Sequence, residues 1–572
     1  MAFAASLVLI AVAAYSFLGW GWAFNRIFKR EPEPWPVTVA LGMAAVVFLG
    51  GLLNLARIAY PLALLAVAVA GVALAVRART PFSRPPPIIA ILIAAVIIFA
   101  IATQLPPAIY NFHDDYQKYF AYPVRMVETG TVFGSPLSAM GLQTLGAQAF
   151  LDGFVIAFFP IVYINGVDAV FGLFLCLILA AQFTTDRIMR VVCVLSVVFI
   201  NPQYVNVSTL FCGSAFIMAM VAVEDSAALG LLYAALIAMK PIYAVFVALH
   251  LLAITRFRLP FLLRTGFAAA LFLAPWALVH APHYLAAFRT HHPAPTPIPG
   301  DIDVDKINLF SFEPLTYGST AVNYTALVIA IAICGLICWR IKPRSFNAVA
   351  GAAAGVVSFF VFVYVLGPMQ YGYDHGLRYF TPVAIGLAPA LFGLAARSGN
   401  WLPLFVAIIP LAAFGPSLRS RIATEFSTHS AASFAWLTKD PDYVAYNKKV
   451  LTGPERQFVQ ALQEKVPAGE PILTWTNTPF YLDYRRNRII DIDTAGIGVP
   501  WSAIPPAHYL IWDYAGFATA DQDEYEGRAT NAGAGERKDS LMTLDFIRGL
   551  TAMAAKGEVL YDDGQLKVVR LL

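Results

Sequence analysis

The sequence predicts a polytopic α-helical membrane protein of 12–14 spans that ends in a soluble α/β domain. Three observations carry this prediction. Hydrophobic residues make up 59% of the 572 and charged residues only 13%, about half of the roughly 25% usual in soluble proteins. Apolar runs near bilayer length recur through the first three quarters of the chain. The charge is also unevenly placed. Residues 420–572 hold 16 Lys or Arg and 20 Asp or Glu, about 24% of that stretch, whereas the first 419 residues hold 23 and 15, about 9%. This pattern excludes an ordinary cytosolic enzyme, a disordered chain and a nucleic-acid binder.

A helix needs about 20 apolar residues to cross a hydrocarbon core of about 30 Å. Runs of that character lie at roughly 3–24, 37–54, 58–76, 87–106, 166–183, 190–202, 208–223, 227–240, 241–254, 261–280, 321–339, 347–367, 380–396 and 401–418. The pair around Lys240-Pro241 reads as two short spans or as one kinked helix. The first run has no basic stretch before it and leads into further apolar segments, so it reads as a retained span and not a cleaved signal. Cys176, Cys193, Cys212, Cys334 and Cys338 all lie in apolar runs, with no disulfide framework or zinc spacing.

Basic clusters orient the spans. Arg26/Lys29/Arg30, Arg77/Arg79/Arg84, Arg187/Arg190, Arg256/Arg258/Arg264 and Arg340/Lys342/Arg344 all fall on one side, which is read as cytoplasmic. The other side receives loops 107–165, 281–320 and 368–379 and the tail from 420, so that tail is read as lying outside the cytoplasm; composition and the lack of N-terminal targeting features suggest a bacterial inner (plasma) membrane. Within the tail, Gly453–Val466 and Leu541–Ala555 have helical spacing. PILTWT, RIIDID, HYLIWDY and QLKVVRLL read as strands, and Asp521–Asp539 as a polar surface loop. Trp475, Tyr481, Trp501, Trp512 and Tyr514 are aromatic enough to stack on sugars, although core packing is their commoner use.

Four segments carry residues that could do chemistry. The first, Asn111–Phe120, holds His113, the adjacent Asp114 and Asp115, and Lys118, a few residues after a span ends. Two carboxylates at a bilayer interface are costly to place without a use. An ionised Asp there can take a proton from a hydroxyl or bind a metal. The amphipathic stretch Tyr122–Thr129 and the helix-like segment that follows suggest a loop packed on the membrane surface, returning to a span near Asp168. The second is Lys240 between two apolar runs, either a snorkelling lysine or a cation for a lipid phosphate. The third, Tyr371–Pro382, holds Asp374, His375, Arg378 and Tyr379, where Arg378 suits a phosphate and Asp374 is its partner or a rival base. The fourth, loop 281–320, holds His283, His291, His292, Asp301, Asp303, Asp305 and Glu313 in no metal-ligand spacing, so it reads as a polar lid. P-loop, dinucleotide and serine-hydrolase motifs are absent.

An outer-face acidic pair after a span, surface helices in the same loop, a Lys ending an apolar helix and a late Arg-Tyr-x-x-Pro together resemble the GT-C superfamily. Its relevant members are polyprenyl-phosphate-sugar-dependent transferases, such as lipid A aminoarabinose transferases and protein O-mannosyltransferases. The resemblance implies a transmembrane catalytic core over 87–419, with residues 1–86 as additional N-terminal helices. That addition departs from the family, whose acidic loop follows the first span. Asp114 matches the family's catalytic base and Asp115 its neighbour. Lys240, with Pro241 in place of the family's Gly, and Arg378-Tyr379 match its donor-phosphate ligands. The implied reaction is inverting transfer of a sugar from a polyprenyl phosphate to a hydroxyl of a lipid, envelope glycan or protein. It needs no nucleotide, and a divalent metal on His113, Asp114 and Asp115 stays open. Lys118, Asp374 and His375 would line the substrate or its lid. The rival classes are a lipid-linked glycan flippase or transporter, disfavoured by the scarcity of charge in the spans and the lack of a repeat, and an oligosaccharide ligase or polymerase with an Arg/His-centred site.

Overall fold

A computed structural model describes residues 2–79, 84–104, 112–135, 137–138, 140–141, 143–159, 161–200, 209–256, 258–282, 318–341, 346–367, 373–438, 444–446, 449–451, 453–492, 504–514 and 534–571. Each apolar run read from the sequence is occupied by a helix. In chain order these are α1 (Ala2–Ile27), α2 (Trp35–Leu55), α3 (Pro61–Ala78) and α4 (Pro87–Gln104), then two loop helices, α5 (Ala121–Thr129) and α6 (Ala147–Ile156). The bundle continues with α7 (Leu173–Gln182), α8 (Arg187–Phe199), α9 (Phe211–Ala222), α10 (Ser226–Met239), α11 (Ala244–Thr255) and α12 (Leu259–Val279). It closes with α13 (Gly318–Ile341), α14 (Phe346–Phe360), α15 (Tyr373–Ala395) and α16 (Leu402–Thr438).

Among the described residues, nine helices are long and apolar enough to cross a membrane. The remaining runs form shorter apolar helices, including Phe211–Ala222, Ser226–Met239 and Pro241–Thr255. At about 1.5 Å per residue these reach about 18–23 Å, less than a full hydrocarbon core. The span expected to open near Asp168 starts earlier. It runs over Tyr163–Gln182 through a tight turn and a π-helical stretch, Val167–Gly172, that leads into α7.

α10 and α11 are two helices and not one kinked helix. The Tyr233 hydroxyl and His250 Nδ1 are hydrogen-bonded at 2.6 Å although 17 residues apart. A continuous helix would separate them by about 25 Å. Lys240 takes an extended conformation (φ −146°, ψ 114°) and Pro241 opens a three-residue turn, so the chain reverses there. Proline cannot supply the amide that would continue α10, and with Lys240 extended the helix ends there.

Contacts sort the loops onto two faces. On one, Arg30 Nε pairs with Asp225 at 3.3 Å, the Asn347 amide donates to the Val223 carbonyl, Arg256 lies over Phe346, and Arg397 Nε donates to the Phe183 carbonyl. On the other, Ala59 N donates to the Gly130 carbonyl, Leu145 N to the Ala238 carbonyl, and the Tyr324 hydroxyl bonds to Thr381. The first face carries the basic ends of the helices, as the charge pattern predicts.

α16 runs unbroken through position 420, so the boundary drawn there from composition falls inside a helix. Beyond it lie a short hairpin, β1 (Val444–Tyr446) and β2 (Lys449–Leu451), then α17 (Gly453–Glu464), β3 (Pro471–Trp475), β4 (Arg488–Asp491), β5 (Tyr509–Asp513), α18 (Ala534–Lys556), β6 (Glu558–Asp562) and β7 (Leu566–Arg570). The sheet order is β4-β3-β5-β7-β6, with β4, β3 and β5 parallel and the remaining pairs antiparallel. All four predicted strands form. β6 was not read from the sequence because Glu558–Asp562, a mostly exposed edge strand, lacks an apolar alternation. α18 starts earlier than expected, so residues 534–539, read as surface loop, are helical. The rest of that loop lies outside the described residues, as does loop 283–317 with its His and Asp residues.

Alternation divides the sheet's side chains. Leu473, Trp475, Ile490, Leu510 and Trp512 pack with Phe546, Ile547 and Leu550 of α18. Ile472, Ile489 and Ile511 face the other way, where Val459 and Leu462 of α17 meet Tyr116, Phe120 and Ala121 of the outer loop. Trp475, Trp512 and Tyr481 are therefore core residues and not a stacking surface. Trp501 lies outside the described residues.

Candidate functional site

The acidic pair sits at the start of a continuous helical segment. Phe112–Tyr119 is π-helical and passes through Phe120 into α5. This fixes the backbone of His113, Asp114 and Asp115; their side chains lie outside the described residues. Tyr116, Gln117, Lys118 and Phe120 are buried.

The expectation that Tyr122–Thr129 lies on the membrane surface is corrected here. α5 is covered on both sides. Tyr122 and Met126 join the core of the membrane bundle, whereas Phe120 and Ala121 join the core of the C-terminal domain. An amphipathic stretch fits both environments because one side needs apolar contact and the other takes hydrogen bonds.

Polar contacts carry the loop toward the Lys240 turn. Lys118 Nζ donates to Gln143 Oε1 at 3.4 Å. Two residues on, Leu145 N donates to the Ala238 carbonyl at 3.2 Å, and His280 Nε2 contacts the Leu145 carbonyl at 3.0 Å. Ala238 is two residues before Lys240, which is half-buried at the end of α10. The outer loop is thus joined to the end of α10 that carries Lys240.

Arg378 and Tyr379 lie in the second turn of α15 and are half-buried. That end of α15 packs closely on the chain before it. A Cβ on Gly376 would come within 2.3 Å of the Phe362 carbonyl oxygen, so no side chain fits there. Asp374 and His375 belong to the first turn, with their side chains outside the described residues. No cluster of three His, Cys, Asp or Glu groups able to hold a metal occurs among the described residues.

Sequence reading missed two parts of this region. One is a buried polar cluster in the bundle. Asp168 accepts the backbone N–H groups of Leu210, Phe211 and Cys212 at 3.1, 3.2 and 2.8 Å, satisfying the N-terminus of α9. Nearby, Gln148 donates to Asp152 at 2.9 Å and accepts from Thr209 at 3.0 Å. Asp168 had been noted only as a span boundary.

The second is the junction between α5 and the C-terminal domain. Arg125, fully buried, forms an ion pair with the equally buried Asp491 at the carboxyl end of β4. Its guanidinium also lies 5.2 Å from the centroid of the Tyr484 ring and donates to the Val132 carbonyl at 3.4 Å. Gly134 leaves it room, since a Cβ there would sit 2.4 Å from Nη1. Glu128 Oε2 accepts from Tyr484 N at 2.8 Å, and burial raises its pKa from 4.5 to about 7. Gln117 Nε2 donates to Asn477 Oδ1 at 3.3 Å, and Asn477 Nδ2 to Asp513 at 2.8 Å. The signal for this junction, an Arg inside an amphipathic loop helix, was visible, but its partner lies 366 residues away.

No protein-family model matches the chain, and no curated protein matches it. Among solved structures, the chain is similar to ArnT from Cupriavidus metallidurans, a crystal structure bound to undecaprenyl phosphate. The match has 12% identity and a TM-score of 0.38, covering 84% of this chain and 97% of that one. A superposition that loose carries no weight for the chemistry, which rests on the residues themselves.

Proposed function

We propose that this protein is a GT-C-type glycosyltransferase that moves a sugar from a polyprenyl-phosphate donor to an acceptor hydroxyl on the face opposite the basic loops. The observation that supports it best is the run of contacts from Lys118 to Gln143 and from Leu145 to Ala238, two residues before Lys240, which ties the segment that carries Asp114 and Asp115 to the Lys240 turn. A cation beside an acidic segment is what the reaction needs. Asp114 takes the proton from the acceptor hydroxyl, whose oxygen attacks the anomeric carbon. The C–O bond to phosphate breaks on the opposite face, inverting the configuration, and the leaving phosphate takes the electron pair. Lys240 and Arg378 hold that phosphate and offset its growing charge. Asp115 orients the segment or, with His113, completes a divalent-metal site. Tyr379 lines the phosphate pocket, with Lys118, Asp374 and His375 at its margin. The basic face is the cytoplasmic one, and the C-terminal domain stands outside.

The test is single-turnover transfer from a polyprenyl-phosphate sugar, with undecaprenyl phosphate binding measured separately. Asp114→Asn keeps size and shape but loses the base, and its rate falls by about 10²–10⁴ with binding retained. Near-normal turnover in Asp114→Asn would remove it as the base and leave Asp374 as the candidate.

A further inference from the structure

The C-terminal domain does more than stand beside the outer loop. Three polar ties reach from the acidic segment and α5 into it: Gln117 to Asn477, Arg125 to Asp491, and Glu128 to the backbone of Tyr484. Between them Tyr116 and Phe120 pack on Phe480, with ring centroids 5.8 and 5.2 Å apart. The middle tie is the informative one. Both side chains of the Arg125–Asp491 pair are 2% exposed. Burying two charges costs several kcal/mol that their attraction barely recovers, and well-packed apolar residues usually serve stability as well or better. A buried pair is therefore poorly explained by docking strength. It is well explained by register, because a guanidinium and a carboxylate meet in one geometry whereas apolar surfaces slide.

The helix so fixed is the direct continuation of the segment bearing Asp114 and Asp115. We propose that Arg125 and Asp491 are positioning residues, which use the C-terminal domain to set the axial position and rotation of the acidic segment over the Lys240 turn. The inference rests on the proposed transferase reading for its consequence in turnover, but not for its mechanical part. α5 is held from the membrane side as well: Asn54 Nδ2 meets Met126 Sδ at 3.5 Å, and Asn54 Oδ1 accepts from Val132 N just beyond the helix at 2.8 Å. The domain supplies the opposing jaw.

Two variants of the full chain in detergent or nanodiscs test it, with amide hydrogen exchange over 112–129 and single-turnover transfer as readouts. Asp491→Asn leaves Arg125 charged, buried and unmatched. It should raise exchange over 112–129 at least tenfold while the β3 and β5 core stays protected. The double variant Arg125→Met/Asp491→Leu should restore protection, because apolar contact docks the domain. It should still transfer at least tenfold more slowly than the parent, with undecaprenyl phosphate binding unchanged. Parent-like turnover in the double variant would show a merely structural pair, and unchanged exchange in Asp491→Asn would show that the bundle alone holds the loop. Either result overturns the proposal. A parent protein that binds no undecaprenyl phosphate and transfers nothing, while exchange responds as described, would refute the transferase reading and leave the latch standing.

Discussion

Glu128 makes the junction between α5 and the C-terminal domain depend on pH, and the sign follows from its surroundings. Burial is the dominant cause of its raised pKa and outweighs the Tyr484 N–H bond that favours the carboxylate. The carboxylate of Asp483 adds to the rise, and Arg485 and Arg456 oppose it. The folded state therefore prefers the neutral acid. Its contribution is fully present below the ordinary value of 4.5 and is lost as pH rises through about 7. At about 1.4 kcal/mol per tenfold change in an equilibrium constant, that interval corresponds to at most about 3 kcal/mol. Glu128→Gln keeps the acceptor for Tyr484 N and removes the titration. The variant should match the parent near pH 5 and exceed it by up to about 3 kcal/mol at pH 8. The assay is amide exchange of residues 480–491 and 121–129 in the purified full chain from pH 5 to 8, corrected for intrinsic exchange. An identical pH slope in parent and variant would show that Glu128 is not the group responsible.

Other outcomes follow from the same structure. Lys240→Ala and Arg378→Ala should both weaken undecaprenyl phosphate binding, because the phosphate is charged before the transition state as well as in it; unchanged affinity in both would remove them as its ligands. Phe480→Ala opens a cavity under Tyr116 and Phe120 and should cost about 3–5 kcal/mol of domain stability, read as denaturant midpoint. The five native cysteines are all buried, so introduced thiols report cleanly: cysteines at Gln143 and Arg485 should label with an impermeant reagent in intact cells and one at Glu224 should not. Labelling at Glu224 instead would invert the topology.

What the sequence made legible was whatever depends on neighbours along the chain. Apolar runs located the membrane helices among the described residues, and alternation located four strands, because burial of one face is written locally. Positive charge at helix ends sorted the loops. Lys240 and Arg378 were accessible as candidates because each residue is chemically odd in its own setting. The reversal at Lys240 was not, since a proline after an apolar run fits a kink as well as a turn, and only the Tyr233–His250 contact decides. The junction at Arg125 was hidden for a related reason. Nothing local distinguishes an Arg that snorkels from one that pairs with a strand end hundreds of residues later, and the burial of α5 on two sides exists only once both domains are present.

The brevity of α10 has a consequence for where a bound phosphate would sit. α10 begins beside Asp225, whose partner Arg30 belongs to the first basic cluster, taken here as the near edge of the hydrocarbon core. Its 14 residues rise about 21 Å, so the Lys240 turn stops about 9 Å short of the far edge of a 30 Å hydrocarbon core. The outer loop comes down to meet it at Ala238. Non-helical backbone is tolerated at that depth only when protein encloses it, and Thr144, Leu145 and Gly146 are buried. Residues at the Lys240 turn, where the phosphate is proposed to bind, thus lie at the bottom of a recess in the far leaflet. A lipid headgroup would have to sink toward them instead of rising into water, and the local bilayer would thin around the short helices.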